Sequence, residues 1–375
     1  MDSQKGIKDL LTVGTSQFIS QIIYGLFWLY LALILSKSDY GELGFFMSIV
    51  NVAAVVSVLG LTSTVVVYEA KKENIFPASF ILVLIATGVT AIAAFLLYQN
   101  FVVSVLLMGQ AVFALVINGI NSRKRYAAIS WYRILRAVAS IIIALILYQY
   151  IGITGILLGY FIATLFIVKE ISILIGGRKI EFSLIRSKIN FTFYSFISSL
   201  STVFFFWGDK SIIGALYGFS FLASYQIAGQ YLLLLEGVPR SIIQYLVPLE
   251  SEGKKNKKIK IFSILVSAII ALISVIATPF AINAFLQEYE DAIFPIQILS
   301  LSIIPLTVSA IQQSEFMGKE NNRVVLIGGI LQSGLYVVLI VLLGNLFGLE
   351  GISIGLLISA IIRTIYNFVT KRHSH

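Results

Sequence analysis

The chain has 375 residues, of which 58% are hydrophobic and 12% are charged, and its mean hydropathy is +0.94. A soluble domain carries about 25% charged residues, so this composition excludes a soluble globular protein and indicates a polytopic membrane protein. Cysteine is absent, which excludes disulfides, thiolate metal sites and cysteine nucleophiles. The two histidines, His373 and His375, lie within the last three residues, which excludes metal catalysis through histidine. We therefore expect no metal and no cofactor.

Long apolar runs account for most of the sequence. A run of about 20 apolar residues is long enough to cross the hydrocarbon core as a helix. Twelve such runs predict an all-α polytopic membrane protein with short connections between its helices. Their approximate limits are residues 10–35, 41–67, 76–98, 101–120, 128–149, 153–176, 191–216, 219–247, 261–286, 292–315, 324–346 and 350–369.

The basic residues predict the orientation of these helices. If both termini are cytoplasmic, every lysine and arginine except Lys37, Lys210 and Arg240 falls in a cytoplasmic segment or at a cytoplasmic helix end. This asymmetry is the positive-inside pattern of multi-pass proteins. It also accounts for the net charge of +9, so we expect no nucleic-acid partner.

An internal repeat divides the predicted helices into two sets of six. The sixth and twelfth apolar runs both open with glycines at the same spacing, and the polar segment 177–190 is the predicted cytoplasmic linker between residues 1–176 and 191–375. Close helix packing in lipid explains either motif alone. An even number of spans in each half predicts two six-helix bundles as a parallel repeat. The glycines are Gly152, Gly155 and Gly159, and Gly348, Gly351 and Gly355.

Several motifs resemble those of a transporter family. The segment Asp209-Lys210 precedes a small-residue turn at 214–218, the sequence Tyr225-Gln226-Ile227-Ala228 and then Pro248. In this order they resemble the start of the second half of O-antigen type polysaccharide flippases in the multidrug, oligosaccharidyl-lipid and polysaccharide (MOP) exporter superfamily. One departure is that many relatives carry an arginine near the end of the second helix, where Val66, Val67 and Tyr68 stand here.

The resemblance implies a function without catalysis. Such a protein moves a polyprenyl-diphosphate-linked oligosaccharide from the cytoplasmic to the outer leaflet by alternating access of its two bundles. The implied partners are the lipid-linked anionic glycan, membrane lipids and other polysaccharide-assembly membrane proteins. The implied location is the cytoplasmic (inner) membrane of a prokaryote.

The first predicted helix carries a polar face. Gln17, Gln21 and Tyr24 recur at helical spacing and are candidates for contact with substrate. Hydrogen bonds between helices are the alternative role for such residues. A matching face in the seventh predicted helix consists of Ser195, Ser198, Thr202 and Asp209.

The eighth predicted helix also has a polar face, and it includes a charge. Gln226, Gln230, Arg240 and Gln244 share one side of the helix and are candidates for substrate binding. The guanidinium group binds phosphate with two parallel hydrogen bonds, which suits a diphosphate lipid. A local ion pair between Glu236 and Arg240, four residues apart, is the alternative.

Three more arginines fall in the inner half of the predicted spans. Arg133, Arg136 and Arg363 would meet an anionic head group in the inner leaflet together with Arg240. For Arg133 and Arg136 the alternative is that the side chains extend to the cytoplasmic surface.

Asp209, Lys210 and Glu236 are candidates for coupling or gating. A carboxylate within the membrane is a candidate for proton or sodium linkage. Lys210 argues against this for Asp209, because a neighbouring positive charge keeps a carboxylate ionised. We favour a structural or gating role for Asp209.

Two other functions fit parts of the sequence. An exporter of cationic drugs from the same superfamily would need a buried carboxylate in an otherwise apolar site; only Asp209 and Glu236 are candidates, and each has a basic neighbour. A membrane-embedded glycosyltransferase or ligase would need an acidic loop outside the membrane, and Glu288, Glu290 and Asp291 form the one candidate.

Overall fold

The computed structural model describes residues 2–237, 239, 242, 243, 246, 250, 257–318 and 321–373. In this part of the chain every regular element is a helix, which confirms the predicted all-α class. Short 3₁₀ segments lie at Leu165–Ile167 and Gln287–Ala292, and a π-helical segment lies at Phe204–Gly208. The α-helices are α1 (Asp2–Ile34), α2 (Lys37–Val58), α3 (Leu61–Ala70), α4 (Phe76–Tyr98), α5 (Phe101–Ser122), α6 (Tyr126–Ile151), α7 (Ile153–Thr164), α8 (Val168–Ile175), α9 (Phe182–Ser187), α10 (Ile189–Val203), α11 (Asp209–Tyr217), α12 (Phe219–Leu235), α13 (Lys257–Phe285), α14 (Ile293–Gly318) and α15 (Asn322–His373).

The described residues contain nine helices that are long and apolar enough to cross a membrane, or ten if the bent pair Ile189–Val203 and Phe206–Tyr217 is one span. The protein is thus a multi-pass membrane protein. The predicted number of twelve stays a prediction, because the eighth predicted span, 219–247, extends into residues outside the described part.

The repeated glycine motif has the same backbone conformation at both places. Gly152 ends α6 with φ 59° and ψ −141°, and Gly348 interrupts α15 with φ 60° and ψ −137°. Only glycine adopts this region without strain, so each site turns one helix into the next. An added Cβ at Gly155 would lie 2.4 Å from the backbone of Leu147, and one at Gly351 would lie 2.0 Å from the carbonyl oxygen of Leu343. The motif therefore builds two similar, closely packed helical hairpins.

Two breaks interrupt helices that the apolar pattern predicts to be continuous. The predicted span 41–67 is divided between α2 and α3 by left-handed residues, Leu59 with φ 55° and Gly60 with φ 76°. In the seventh predicted helix, the π-helical segment Phe204–Gly208 lies between α10 and α11. This segment separates Asp209 from Ser195, Ser198 and Thr202 in the sequence, and the polar face predicted for these four residues stays a prediction.

The contacts between helices divide the chain into two compact units. The first unit consists of Met1–Leu31 and Phe45–Gly208, and the second consists of Ala32–Gly44 and Asp209–His375. This partition follows packing, whereas the predicted division into 1–176, the linker 177–190 and 191–375 concerns membrane bundles and stays a prediction. In the first unit, α3, α4 and α5 bury a core that includes Val65, Phe76, Leu115 and Ile120.

Ion pairs join helix ends in the first unit. Glu69 at the end of α3 accepts hydrogen bonds from Arg178 (2.9 Å) and from the backbone N–H of Phe76 (2.9 Å). Glu170 in α8 accepts two from Arg125, at 2.6 and 3.0 Å. These bonds raise the pKa of Arg125, which lies in the turn before α6, above its ordinary value. Both carboxylates thus tie the ends of neighbouring helices together.

The second unit has ion pairs of the same kind. Glu315 in α14 contacts Lys260 (2.6 Å) and Lys371. Lys37 donates to Asp291 at 2.8 Å, and Ser224 donates to the same carboxylate at 2.8 Å. Asp291, one of the acidic group considered for catalysis, therefore fastens the start of α2 to α12 in the second unit.

Candidate functional site

A buried acid and a buried lysine open helix α11 in the second unit. Asp209 is 5% exposed and Lys210 is 7% exposed. The Asp209 Oδ1 atom accepts a hydrogen bond from the backbone N–H of Lys210 at 2.8 Å and lies 3.4 Å from the Lys210 Nζ atom. The carboxylate thus contacts both the backbone and the side chain of Lys210.

Two tyrosines extend this pair across neighbouring helices. The Tyr225 hydroxyl of α12 donates to the Asp209 Oδ2 atom at 2.5 Å, and it shares a hydrogen bond of 2.7 Å with the Tyr336 hydroxyl of α15. Both tyrosines are 2% exposed. Asp209 therefore has partners at both oxygens, and the carboxylate links α11, α12 and α15. We name Asp209, Lys210, Tyr225 and Tyr336 the aspartate cluster.

The other residues predicted for the eighth helix differ in how deeply they are buried. Gln226 is buried, and its Oε1 atom would lie 1.6 Å from a Cβ added at Gly44, so it packs against the start of α2. Gln230 is half-buried. Glu236 is buried directly after α12. The predicted residues Arg240 and Gln244 lie outside the described residues.

In the first unit, a chain of side chains joins three helices. Arg136 of α6 donates to the Gln110 Oε1 atom of α5, and the Gln110 Nε2 atom donates to the Asn51 Oδ1 atom of α2 at 3.2 Å. The Arg136 guanidinium also lies 4.2 Å from the centre of the Phe113 ring. Arg136 is half-buried, and these contacts hold it against α5.

Arg133 and Arg363 complete the set of arginines within the predicted spans. Arg363 of the second unit donates to the Gln332 Oε1 atom at 2.8 Å. Arg133 of the first unit is half-buried, and its NH1 atom is buried without a hydrogen-bond partner in the described part of the chain. None of the ion pairs between described residues includes Arg133, Arg136 or Arg363. Among the described residues, the hydrogen-bond partners of Arg136 and Arg363 are thus neutral glutamines, and none of the three arginines has a carboxylate partner.

The polar face of the first helix is only partly free. Tyr24 stacks on Tyr160 of α7, with 5.9 Å between ring centres, and its hydroxyl accepts a hydrogen bond of 3.5 Å from Ser140 of α6. Gln17 and Gln21 are exposed on the first unit. The two glutamines therefore remain available for contact, whereas Tyr24 also packs between helices.

Several residues of these networks are not evident from sequence patterns. Tyr336, Gln110, Gln332 and Asn51 lie in mostly apolar runs, and none of them stands at helical spacing from a residue predicted for the site. The sequence gives one signal for these residues: an unpaired polar side chain in hydrocarbon costs free energy, so each of them requires a partner. That signal shows that a partner exists but does not identify it.

The sequence matches a known protein family. The model of a family described as polysaccharide biosynthesis protein matches residues 7–254. A search of curated protein sequences gives no match at the threshold applied. These results concern sequence alone.

Solved structures share the fold at low sequence identity. The chain is similar to the lipid II flippase MurJ in an inward closed conformation, with a TM-score of 0.78, 12% identity and coverage of 96% of this chain and 87% of that one. It is similar to an inward-facing multidrug resistance MATE family transporter of the MOP superfamily, with a TM-score of 0.69, 14% identity and 98% coverage of both chains. A MOP superfamily transporter from Pyrococcus furiosus, for which reverse polarity of the binding pocket suggests a different function, has a TM-score of 0.62, 15% identity and coverage of 98% and 93%.

These comparisons confirm the resemblance drawn from the sequence. The family match covers the Asp209-Lys210 and Tyr225 motifs that carried the resemblance. The structural matches show a helical fold shared with transporters and flippases.

Proposed function

Because the chain belongs to the polysaccharide biosynthesis protein family, we propose that it is a flippase for a polyprenyl-diphosphate-linked oligosaccharide. It moves this lipid from the cytoplasmic to the outer leaflet by alternating access of two six-helix bundles with twelve membrane-spanning helices in all. The proposed location is the inner membrane of a prokaryote, with both termini cytoplasmic. A lipid II flippase among the structural neighbours supports the substrate class.

The observation that carries this proposal is the charge balance within the spans. Arg136 and Arg363 bond to neutral glutamines, and no described carboxylate pairs with either of them or with Arg133. A charge held in the membrane without a counter-ion costs free energy and marks a functional site. A diphosphate supplies the missing negative charge and accepts the paired hydrogen bonds that guanidinium groups donate.

The same balance argues against an exporter of cationic drugs. Such an exporter needs a carboxylate that is free to receive the cation, but Asp209, Glu170 and Glu69 each contact a basic side chain. These three buried carboxylates are therefore already paired with basic side chains.

The geometry suggests how the chain handles the lipid. Gln110 and Gln332 hold Arg136 and Arg363 by one hydrogen bond each, which leaves other N–H groups of each guanidinium for phosphate oxygens. Arg136 lies near the middle of α6, and Arg363 lies near the middle of the part of α15 that follows Gly348, so an anionic head group that leaves the inner leaflet meets them on its way across. Because Gln110 and Gln332 are neutral, neither arginine is held in a permanent ion pair within the protein. The head group can therefore bind the arginines and dissociate again.

The test is transport by purified protein in vesicles. A fluorescent polyprenyl-diphosphate oligosaccharide is placed in one leaflet, and its arrival in the other is measured by quenching from outside. We expect Arg136→Gln and Arg363→Gln each to reduce the initial rate about tenfold or more, since a charge-assisted pair is lost. Arg186→Gln, at an exposed arginine outside the spans, serves as the control and should transport normally.

Two results would contradict the proposal. One is wild-type protein that leaves the lipid in its original leaflet while accelerating efflux of a cationic dye. The other is full activity of both arginine variants, which would show that the unpaired charges do not meet the substrate.

A further inference from the structure

A cavity of about 240 Å³ lies within the first unit. Its walls come from α2, α3, α5 and α10, next to the break at Gly60. An added Cβ at Gly60 would lie 2.3 Å from the carbonyl oxygen of Thr192, so glycine permits the close approach of α10 that closes one side of the cavity. The polar lining consists of Asn51, Thr62, Gln110, Asn118 and Ser199.

The lining is polar but uncharged. None of the residues that line the cavity is acidic or basic, and the remaining walls are small apolar residues such as Ala54, Val58 and Ala114. A phosphate would require cations here, and a drug cation would require a carboxylate. Amides and hydroxyls between apolar walls suit a neutral group with several hydroxyls and exposed C–H faces.

The lining side chains have hydrogen-bonding groups to spare. Asn118 donates one N–H to the carbonyl oxygen of Ala114 at 2.8 Å, and Asn51 donates one to Met47 at 2.7 Å. The second N–H of each amide and the Asn118 Oδ1 atom have no partner among the described residues. The same holds for the hydroxyls of Thr62 and Ser199, and all of these side chains are only half-buried.

Arg136 fixes the direction of two of the amides from outside the lining. Because the guanidinium can only donate, the Gln110 Oε1 atom turns toward it, and the Gln110 Nε2 atom then faces the Asn51 Oδ1 atom. The orientation of both amides is thereby set before any ligand arrives. An ordered set of donors loses less conformational entropy on binding.

We propose that this cavity binds one uncharged sugar ring of the transported lipid, with the hydroxyls of the ring bonded to Asn51, Thr62, Asn118 and Ser199. The volume is below the roughly 300 Å³ at which sites for drug-sized molecules begin, which suits a single ring. The inference rests on the proposed function, and it adds the sugar recognition that the arginines do not provide. We name Asn51, Thr62, Gln110, Asn118 and Ser199 the sugar subsite.

The test compares two lipids that differ only in the sugar. Purified protein in detergent is titrated with a short polyprenyl diphosphate that carries one N-acetylglucosamine, and with the same polyprenyl diphosphate without sugar. We expect the double variant Thr62→Val with Ser199→Ala to bind the sugar-bearing lipid about tenfold more weakly, because two hydrogen bonds are lost. Its affinity for the sugar-free lipid should stay within about twofold of wild type.

Matched variants separate recognition from folding. Thr64→Val makes the same change on the opposite side of α3, at a residue that does not line the cavity, and should leave the ratio of the two affinities unchanged. Ala114→Leu fills the cavity from α5 and should also weaken only the sugar-bearing lipid. A melting temperature for each variant shows that it is folded.

The outcomes distinguish this proposal from the proposed function. Equal weakening for both lipids, or wild-type affinity for both in the double variant and in Ala114→Leu, overturns the sugar subsite while the flippase remains supported. Wild-type protein that binds neither lipid overturns the proposed function, and the subsite with it.

Discussion

The aspartate cluster allows a prediction of how two tyrosines differ in their contribution to stability. Tyr225 bonds both to the Asp209 carboxylate and to Tyr336, whereas Tyr336 bonds to Tyr225 alone in this cluster. Tyr225→Phe removes both bonds without a change of ring shape, and Tyr336→Phe removes one. The two variants therefore compare a charge-assisted hydrogen bond with a neutral one at the same buried place.

The expected magnitudes follow from the two bond types. A hydrogen bond to a charged group contributes about 1.5–3 kcal/mol, and a neutral one between membrane helices contributes about 0.6 kcal/mol on average. Tyr225→Phe should lower the free energy of unfolding by about 2–3.5 kcal/mol, the sum of the two. Tyr336→Phe should lower it by about 0.6 kcal/mol.

Unfolding by dodecyl sulfate in mixed micelles, followed through the fluorescence of the three tryptophans, measures these free energies. Tyr150→Phe, at a tyrosine that is 78% exposed, is the control and should change the free energy by less than about 0.5 kcal/mol. Equal losses for Tyr225→Phe and Tyr336→Phe would refute the reasoning, since they would show that the carboxylate bond contributes nothing beyond the neutral one.

Two further predictions concern the repeat and the coupling role. Gly351→Ala should strongly reduce the yield of folded protein, because the added Cβ would lie 2.0 Å from the carbonyl oxygen of Leu343. Gly88→Ala is the control, since a Cβ added there meets no atom within 4 Å. Gel filtration measures the yield of each variant, and equal yields would contradict the close packing at Gly351. Asp209→Asn should keep its response to an imposed proton or sodium gradient in the vesicle assay if the cluster is structural or gating, and normal transport that no longer responds to the gradient would assign coupling to Asp209.

The sequence alone determined the features that depend on single side chains or on residues close together along the chain. Apolar runs of sufficient length predict membrane helices, because the transfer of each residue into hydrocarbon depends on that residue's own side chain. The glycine motifs predict sharp turns between helices, and the structure has the same left-handed glycine at Gly152 and Gly348. Asp209 and Lys210 were identified as special because a charge within a span is costly wherever it lies.

The helix breaks were beyond the sequence patterns. Leu59, an ordinary apolar residue, takes a left-handed conformation at the end of α2, and no turn motif predicts it. The π-helical segment Phe204–Gly208 is likewise composed of residues typical of a continuous span. Apolar periodicity measures burial, and a helix with a local break can bury nearly the same residues as one without it.

Only the tertiary structure decided which polar groups become partners. Tyr336 is 111 residues from Tyr225, and Gln332 is 31 residues from Arg363, so no spacing along the chain predicts either bond. The need for a partner is a property of the single side chain, since an unpaired polar group in hydrocarbon is costly. The identity of the partner depends on which helices pack together and on the rotation of each about its axis, and these are set by the packing of all the helices at once.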